Sequence, residues 1–241
     1  MAGFRRCDTA VSHDEQLKGI VMKYAIIGSG AIGSALAGQF ARVGLEVAVA
    51  TAKGAAAVTP LRERLGPQII PTEVGEALLA DFVVLAVPFE SVRGLVEQVS
   101  DWDGRIIIDA TNAIDYRDFS PADLGGREST DMVAEWANGA RVVKAFGNTW
   151  AKVLARDPSN GGGGRRVAFI SGNDPAANAD VAALAVQFGF EPIDLGRNDA
   201  GGRLHSFGGP LTGHSFISQP ITGDSPPEMD IVEPRDATST A

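Results

Sequence analysis

Three glycines in the order Gly28-Ser29-Gly30-Ala31-Ile32-Gly33 have the spacing that holds a pyrophosphate. Gly28 permits a tight turn, Gly30 lets the backbone approach phosphate oxygens, and Gly33 lets a following helix sit close to the preceding strand. The apolar run Tyr24–Ile27 before them reads as a buried strand. After them Ile32, Leu36, Phe40 and Val43 recur at near-helical spacing until Gly44 ends the helix. Glu46–Thr51 then supplies a second strand. The helix start offers free N–H groups and a partial positive charge to an anion, so the unit predicts a dinucleotide site.

The end of the second strand chooses the dinucleotide, because it lies beside the adenosine ribose. A carboxylate there favours the 2′-hydroxyl of NAD, whereas a 2′-phosphate is served by donors and cations. The chain reads Thr51-Ala52-Lys53-Gly54, with no carboxylate before Glu63. Thr51 can donate to a phosphate oxygen and Lys53 can meet it as a point charge. NADP(H) is therefore expected over NAD(H). Arg62 and Arg64 are either further cations for it or a solvated helix face.

Ligands of open α/β sheets bind beyond the carboxyl ends of the strands. Val87 and Pro88 stand at one such end, either against the pyrophosphate and nicotinamide ribose or simply closing the strand. Asn112 follows the next, as a partner for ribose or carboxamide or as a turn cap. Ala145, Phe146 and Asn148 follow another, with Phe146 either walling the nicotinamide pocket or filling the core. No Ser-His-Asp set, cysteine nucleophile or metal-ligand spacing is present, and no catalytic residue or metal ligand is nominated. His205 and His214 either orient a substrate or are ordinary loop histidines. Without a general acid or base for a carbinol, the chain points to exchange between two redox cofactors, which carry the chemistry while the protein aligns them.

The elements that must position these residues alternate. Strands are expected at Gln68–Ile70, Asp81–Val87, Arg105–Asp109, Arg141–Ala145, Arg166–Ser171 and Glu191–Leu195. Helices are expected at Thr72–Leu79, Ser91–Val99, Asp131–Trp136, Asn148–Ala155 and Asp174–Phe188, the last with Asp174 as cap and Pro175 in its first turn. Asn160–Gly164 must be a loop, and the glycine-studded Gly201–Gly213 closes the fold. Such apolar strands belong to a mainly parallel sheet covered on both faces. The fold class is α/β, a Rossmann-like doubly wound sheet with a small carboxyl-terminal α/β lobe. Residues 1–22 are expected to be a disordered leader, 23–147 an NADP-binding domain, 148–218 a small lobe completing the acceptor site, and 219–241 a disordered acidic tail.

Composition narrows the rest. A net charge of −9 argues against nucleic-acid binding, which needs a basic face. No apolar stretch approaches the roughly 20 residues that span a bilayer. The leader lacks the apolar core of a signal peptide. The single cysteine, Cys7, lies in the leader, so no intrachain disulfide forms and a cytoplasmic location fits.

Taken in order, KYAIIGSGAIGSAL, DFVVLAVP, RIIIDATN, RVVKAF, GGGGRRVAFISGND and GGRL followed by GGPLTG resemble the coenzyme F-420-dependent NADP oxidoreductase family over about Lys23 to Gly213. The resemblance implies hydride transfer between NADPH and a deazaflavin stacked on the nicotinamide, with a flavin as an alternative acceptor. It implies NADP contacts at Ser29–Ile32, at Thr51 and its neighbours and at Val87. It puts the deazaflavin against Pro88, Pro210 and Leu211, and it implies a homodimer. Two positions depart from the family: Thr51-Ala52 stands where Ser-Arg is frequent, with Lys53 as substitute, and Gly147 stands where an asparagine is common. Competing readings are a reductase of small imines or hydroxy acids, and a non-catalytic NADP sensor. The first usually carries a long helical carboxyl-terminal domain.

Overall fold

A computed structural model describes residues 23–159 and 161–219. The expected leader with Cys7, most of the acidic tail and Asn160 lie outside the described residues.

The strands, in chain order, are β1 (Tyr24–Ile27), β2 (Val47–Ala50), β3 (Ile69–Pro71), β4 (Phe82–Leu85), β5 (Ile106–Asp109), β6 (Ile114–Asp115), β7 (Ser120–Pro121), β8 (Arg141–Ala145), β9 (Arg165–Gly172), β10 (Glu191–Asp194) and β11 (Ile217–Ser218). The main sheet has nine strands, in the order β10-β9-β8-β5-β4-β1-β2-β3, with β11 pairing β9. From β3 across to β8 every pairing is parallel. At β8 the direction reverses: β9 is antiparallel to it, and β10 runs parallel to β9. The protein is α/β with a mostly parallel Rossmann-like sheet. The strands after residue 148 extend that sheet rather than forming one of their own.

The helices are α1 (Ala31–Arg42), α2 (Thr59–Leu65), α3 (Val74–Ala77), α4 (Val92–Val96), α5 (Ser129–Trp136), α6 (Ala151–Leu154), α7 (Pro175–Gln187) and α8 (Arg203–His205). Asp174 caps α7, accepting from the N–H groups of Ala176 and Ala177. Two expected helices shorten because their backbones are spent elsewhere. Thr72 donates its N–H to Val49, prolonging strand pairing, so helix begins only at Val74. The Asn148 carbonyl accepts from Gly213 at 2.6 Å, so helix begins only at Ala151.

Alternation along the strands sorts the core into two layers. Ile26, Val49, Val84, Ile108, Val143 and Ile170 face one layer with Leu36 and Phe40 of α1 and Val181 and Leu184 of α7. Ile27, Ala50, Val83, Leu85, Ile107 and Val142 face the other, with Val92 and Val133. The same parity turns Asp109 and Lys144 toward the second layer, beyond its last apolar residue. Among the described residues no helix is long and apolar enough to cross a membrane.

Candidate active site

The glycine loop has the geometry its spacing predicts. A Cβ on Gly33 would sit 1.8 Å from the Gly28 carbonyl oxygen, so only glycine lets α1 approach the strand end this closely. Gly28 has φ of 111° and meets the Ala86 carbonyl and the side chain of Val87, which places Val87 beside the loop. Gly30 differs: a Cβ there would meet nothing within 4 Å, because it opens to solvent at the helix start. Ser34 Oγ donates to the Ser29 carbonyl at 3.0 Å and tightens the turn. No side chain caps α1, and its first turn holds no acid. An uncapped helix end, with space where only a ligand would collide with a side chain, fits a pyrophosphate.

Thr51 is half-buried at the end of β2, with Ala52 and Lys53 exposed beyond it. Gly54 donates to the Thr51 carbonyl at 2.9 Å and turns the chain back. Space adds a group that sequence distance hid. Glu73, arriving from the end of β3, accepts from the Ala55 N–H at 2.9 Å. The loop therefore has a carboxylate neighbour after all. It is engaged with backbone and exposed to water, which screens it.

Beyond β4, Val87 is half-buried and Pro88 exposed. Asn112 follows β5 and donates through Nδ2 to the Gly147 carbonyl at 2.9 Å, while its buried Oδ1 has no partner among the described residues. It ties the ends of β5 and β8 together and keeps one acceptor free. Gly147 stands close enough that a Cβ would lie 3.2 Å from the Ala110 carbonyl oxygen. Ala145 and Asn148 are buried at the same edge.

Asn112 also lines a cavity of about 420 Å³. Its walls are the segment Ala113–Ser129 (in part), Lys144, and Arg203, Ser206 and Phe207 from the closing segment. The expected acceptor residues are not among the wall residues. Phe146, at φ of 63°, turns its ring into the core against Phe188 and Phe190. Leu211 donates its N–H to the Leu204 carbonyl at 2.8 Å, folding the turn back so that Pro210 is exposed on the outside. Phe207 takes the aromatic place instead, edge-on to Phe119 at 5.5 Å.

Lys144 of the cavity wall belongs to a buried polar row that sequence reading did not find. Asp109, Lys144 and Ser171 are register partners on the adjacent strands β5, β8 and β9. Asp109 accepts from Thr111 N–H at 2.9 Å, Thr111 Oγ1 at 2.6 Å and Thr130 Oγ1 at 2.8 Å. Lys144 Nζ donates to the Thr111 carbonyl at 3.2 Å and stands 3.7 Å from Asp109 Oδ2. Ser171 Oγ is 2.8 Å from Nε2 of His205, which is fully buried rather than an ordinary loop histidine. Burial pushes the His205 pKa down to about 3; the Lys144 ammonium adds to the shift and the Asp109 carboxylate opposes it. The ring is therefore neutral at physiological pH. The available signal was a second charge after the opening arginine of each apolar run, Asp109 in RIIID and Lys144 in RVVKA.

A family-wide profile described as NADP oxidoreductase, coenzyme F-420-dependent, matches residues 23–113. A hypothetical protein of Sinorhizobium meliloti is 45% identical with a TM-score of 0.80, over 86% of this chain and 100% of that one. An Arthrobacter protein assigned as an F-420-dependent NADP-reductase is 26% identical with a TM-score of 0.62, over 73% of this chain and 85% of that one. A reductive aminase of Aspergillus terreus, solved with NADPH and ethyl levulinate, shares the fold at 20% identity and a TM-score of 0.57, over 75% of this chain but 57% of its own. Among curated proteins none matches.

Proposed function

We propose that this chain, which belongs to the coenzyme F-420-dependent NADP oxidoreductase family, passes hydride between NADPH and a flat redox acceptor, a deazaflavin or a flavin. The supporting observation is a juxtaposition. An open, uncapped helix start at Gly30 follows the carboxyl end of β1, and a cavity lined by Asn112 and Lys144 lies at the carboxyl ends of β5 and β8, on the same edge of the parallel sheet. At about 420 Å³ the cavity is of a size that takes small organic ligands.

In this reading Gly28–Gly33 hold the pyrophosphate, and Thr51, Ala52 and Lys53 receive the 2′-phosphate. Val87 and Pro88 bound the nicotinamide ribose, while Asn112, Ala145 and Asn148 complete that end. When bound, NADPH supplies a hydride from its dihydronicotinamide ring. The protein's own work is alignment of two rings and exclusion of water between them. Phe207, held edge-on by Phe119, offers an aromatic ring on the cavity wall, and Arg203 stands ready for an anionic substituent although Glu128 accepts from it at 2.7 Å. Residues 23–147 serve NADP and residues 148–218 complete the acceptor site; a cytoplasmic homodimer is part of the same proposal.

Mixing protein, NADPH and oxidised deazaflavin or FMN should bleach the NADPH absorbance catalytically. NADPH binding without turnover on any acceptor would defeat this reading and favour a sensor. One observation favours a second enzyme reading. Lys144 on the cavity wall is a proton source that a small imine or ketone would need, so such substrates belong in the same assay.

A further inference from the structure

We propose that Lys144 is the acid that protonates the acceptor as hydride arrives, a role that rests on the reading above. Three observations converge on it. Lys144 is 2% exposed, yet it lines the cavity. Its ammonium makes one hydrogen bond among the described residues, to the Thr111 carbonyl, which leaves N–H groups for a guest. It is also not needed to satisfy Asp109, which already accepts from three donors.

The surroundings suit a proton donor. Asp109 on β5 stands 3.7 Å away, so the buried ammonium has an opposite charge beside it. His205 lies across the Ser171 partner and stays neutral, so it neither competes for the proton nor supplies one. No other basic side chain of the cavity wall is buried: Arg127 and Arg203 are exposed and engaged with Glu135 and Glu128. An arginine also holds its proton too tightly to serve as an acid.

The step balances as follows. A C–H bond of the dihydronicotinamide breaks with its electron pair, and a C–H bond forms on the acceptor ring. An N–H bond of Lys144 breaks, and an N–H bond forms at the ring nitrogen conjugated with that carbon. NADPH is oxidised to NADP⁺ and the deazaflavin is reduced by two electrons. Lys144, left as the amine, recovers a proton from water at the cavity mouth.

The test compares an acceptor that needs a proton with one that does not. Oxidised deazaflavin takes hydride and proton, whereas 10-methylacridinium is a flat cation that becomes neutral on taking hydride alone. Lys144→Met should lower turnover with deazaflavin roughly 100-fold or more while transfer to acridinium is undiminished and NADPH binding is unchanged. In the absence of NADPH, oxidised FMN should bind the variant about 10-fold more weakly, read by quenching of its fluorescence, because a charge-assisted hydrogen bond is gone. Lys144→Gln retains a donor for the Thr111 carbonyl and repeats the comparison if the methionine variant does not fold. Equal losses on both acceptors, or none on either, would overturn the assignment while leaving the hydride-transfer reading intact. Wild-type protein inert toward both acceptors would overturn both.

Discussion

The glycine loop and the cavity that Lys144 lines lie at the same edge of one sheet, yet they are specified in different ways. Gly28, Gly30 and Gly33 act on backbone within a single turn, and each has a role set by its own φ or its own clearance. The cavity draws Asn112 from the end of β5, Lys144 from β8 and Phe207 from the closing segment. The buried polar row behind Lys144 exists only because three strands bring Asp109, Lys144 and Ser171 into register. A local motif survives in any sequence that keeps strand, turn and helix. A site assembled across strands depends on the order of the whole sheet.

The two glycines should separate under mutation, with the largest effects in the molecule. Gly33→Val places atoms inside the Gly28 carbonyl and should remove the cooperative thermal transition as well as NADPH binding. Gly30→Ala adds a Cβ that meets no protein atom within 4 Å, so melting should stay at the wild-type temperature while NADPH affinity, followed by its fluorescence, falls about 10-fold or more. Equal behaviour of the two variants would erase the distinction between packing and ligand clearance.

On the cavity side, stability should depend on pH through His205. Its folded pKa of about 3 lies below the ordinary 6.5, so the unfolded chain binds the extra proton between those values. The contribution is full above pH 6.5 and is lost as pH falls toward 3, at up to about 1.4 kcal/mol per unit. Urea unfolding at pH 4.5 and 7 should show the loss, and His205→Phe should reduce it. Thr130→Val removes one of the three donors to Asp109 and should destabilise by about 1–3 kcal/mol, read in the same unfolding curves.

The smallest effects belong to the exposed end of β2. Lys53→Glu should weaken NADPH about 10-fold and leave NADH almost unchanged, measured by paired titrations. Glu73→Gln should shift the preference a few-fold toward NADPH, since it removes a carboxylate near that loop while keeping an acceptor for Ala55.

Most strands were legible because a parallel sheet covered on both faces demands continuous apolar runs, and VVL and III supply them. Helix ends were less legible. Those of α3 and α6 moved because Val49 and Gly213 claimed backbone groups that local pattern assigned to helix. Phe146, an aromatic at a strand end, could be read as pocket wall or core filler, and its positive φ and the approach of Phe188 and Phe190 turn it inward.

By itself the sequence determined the dinucleotide loop, the α/β class and the absence of an acid beside Thr51 in the chain, since each depends on spacing within a few residues. The tertiary structure alone decided that Glu73 reaches that loop, that His205 is buried and uncharged, and that Lys144 lines a cavity. Those outcomes depend on which strands become neighbours, and neighbourhood across a sheet is fixed by packing of the whole chain rather than by any one segment.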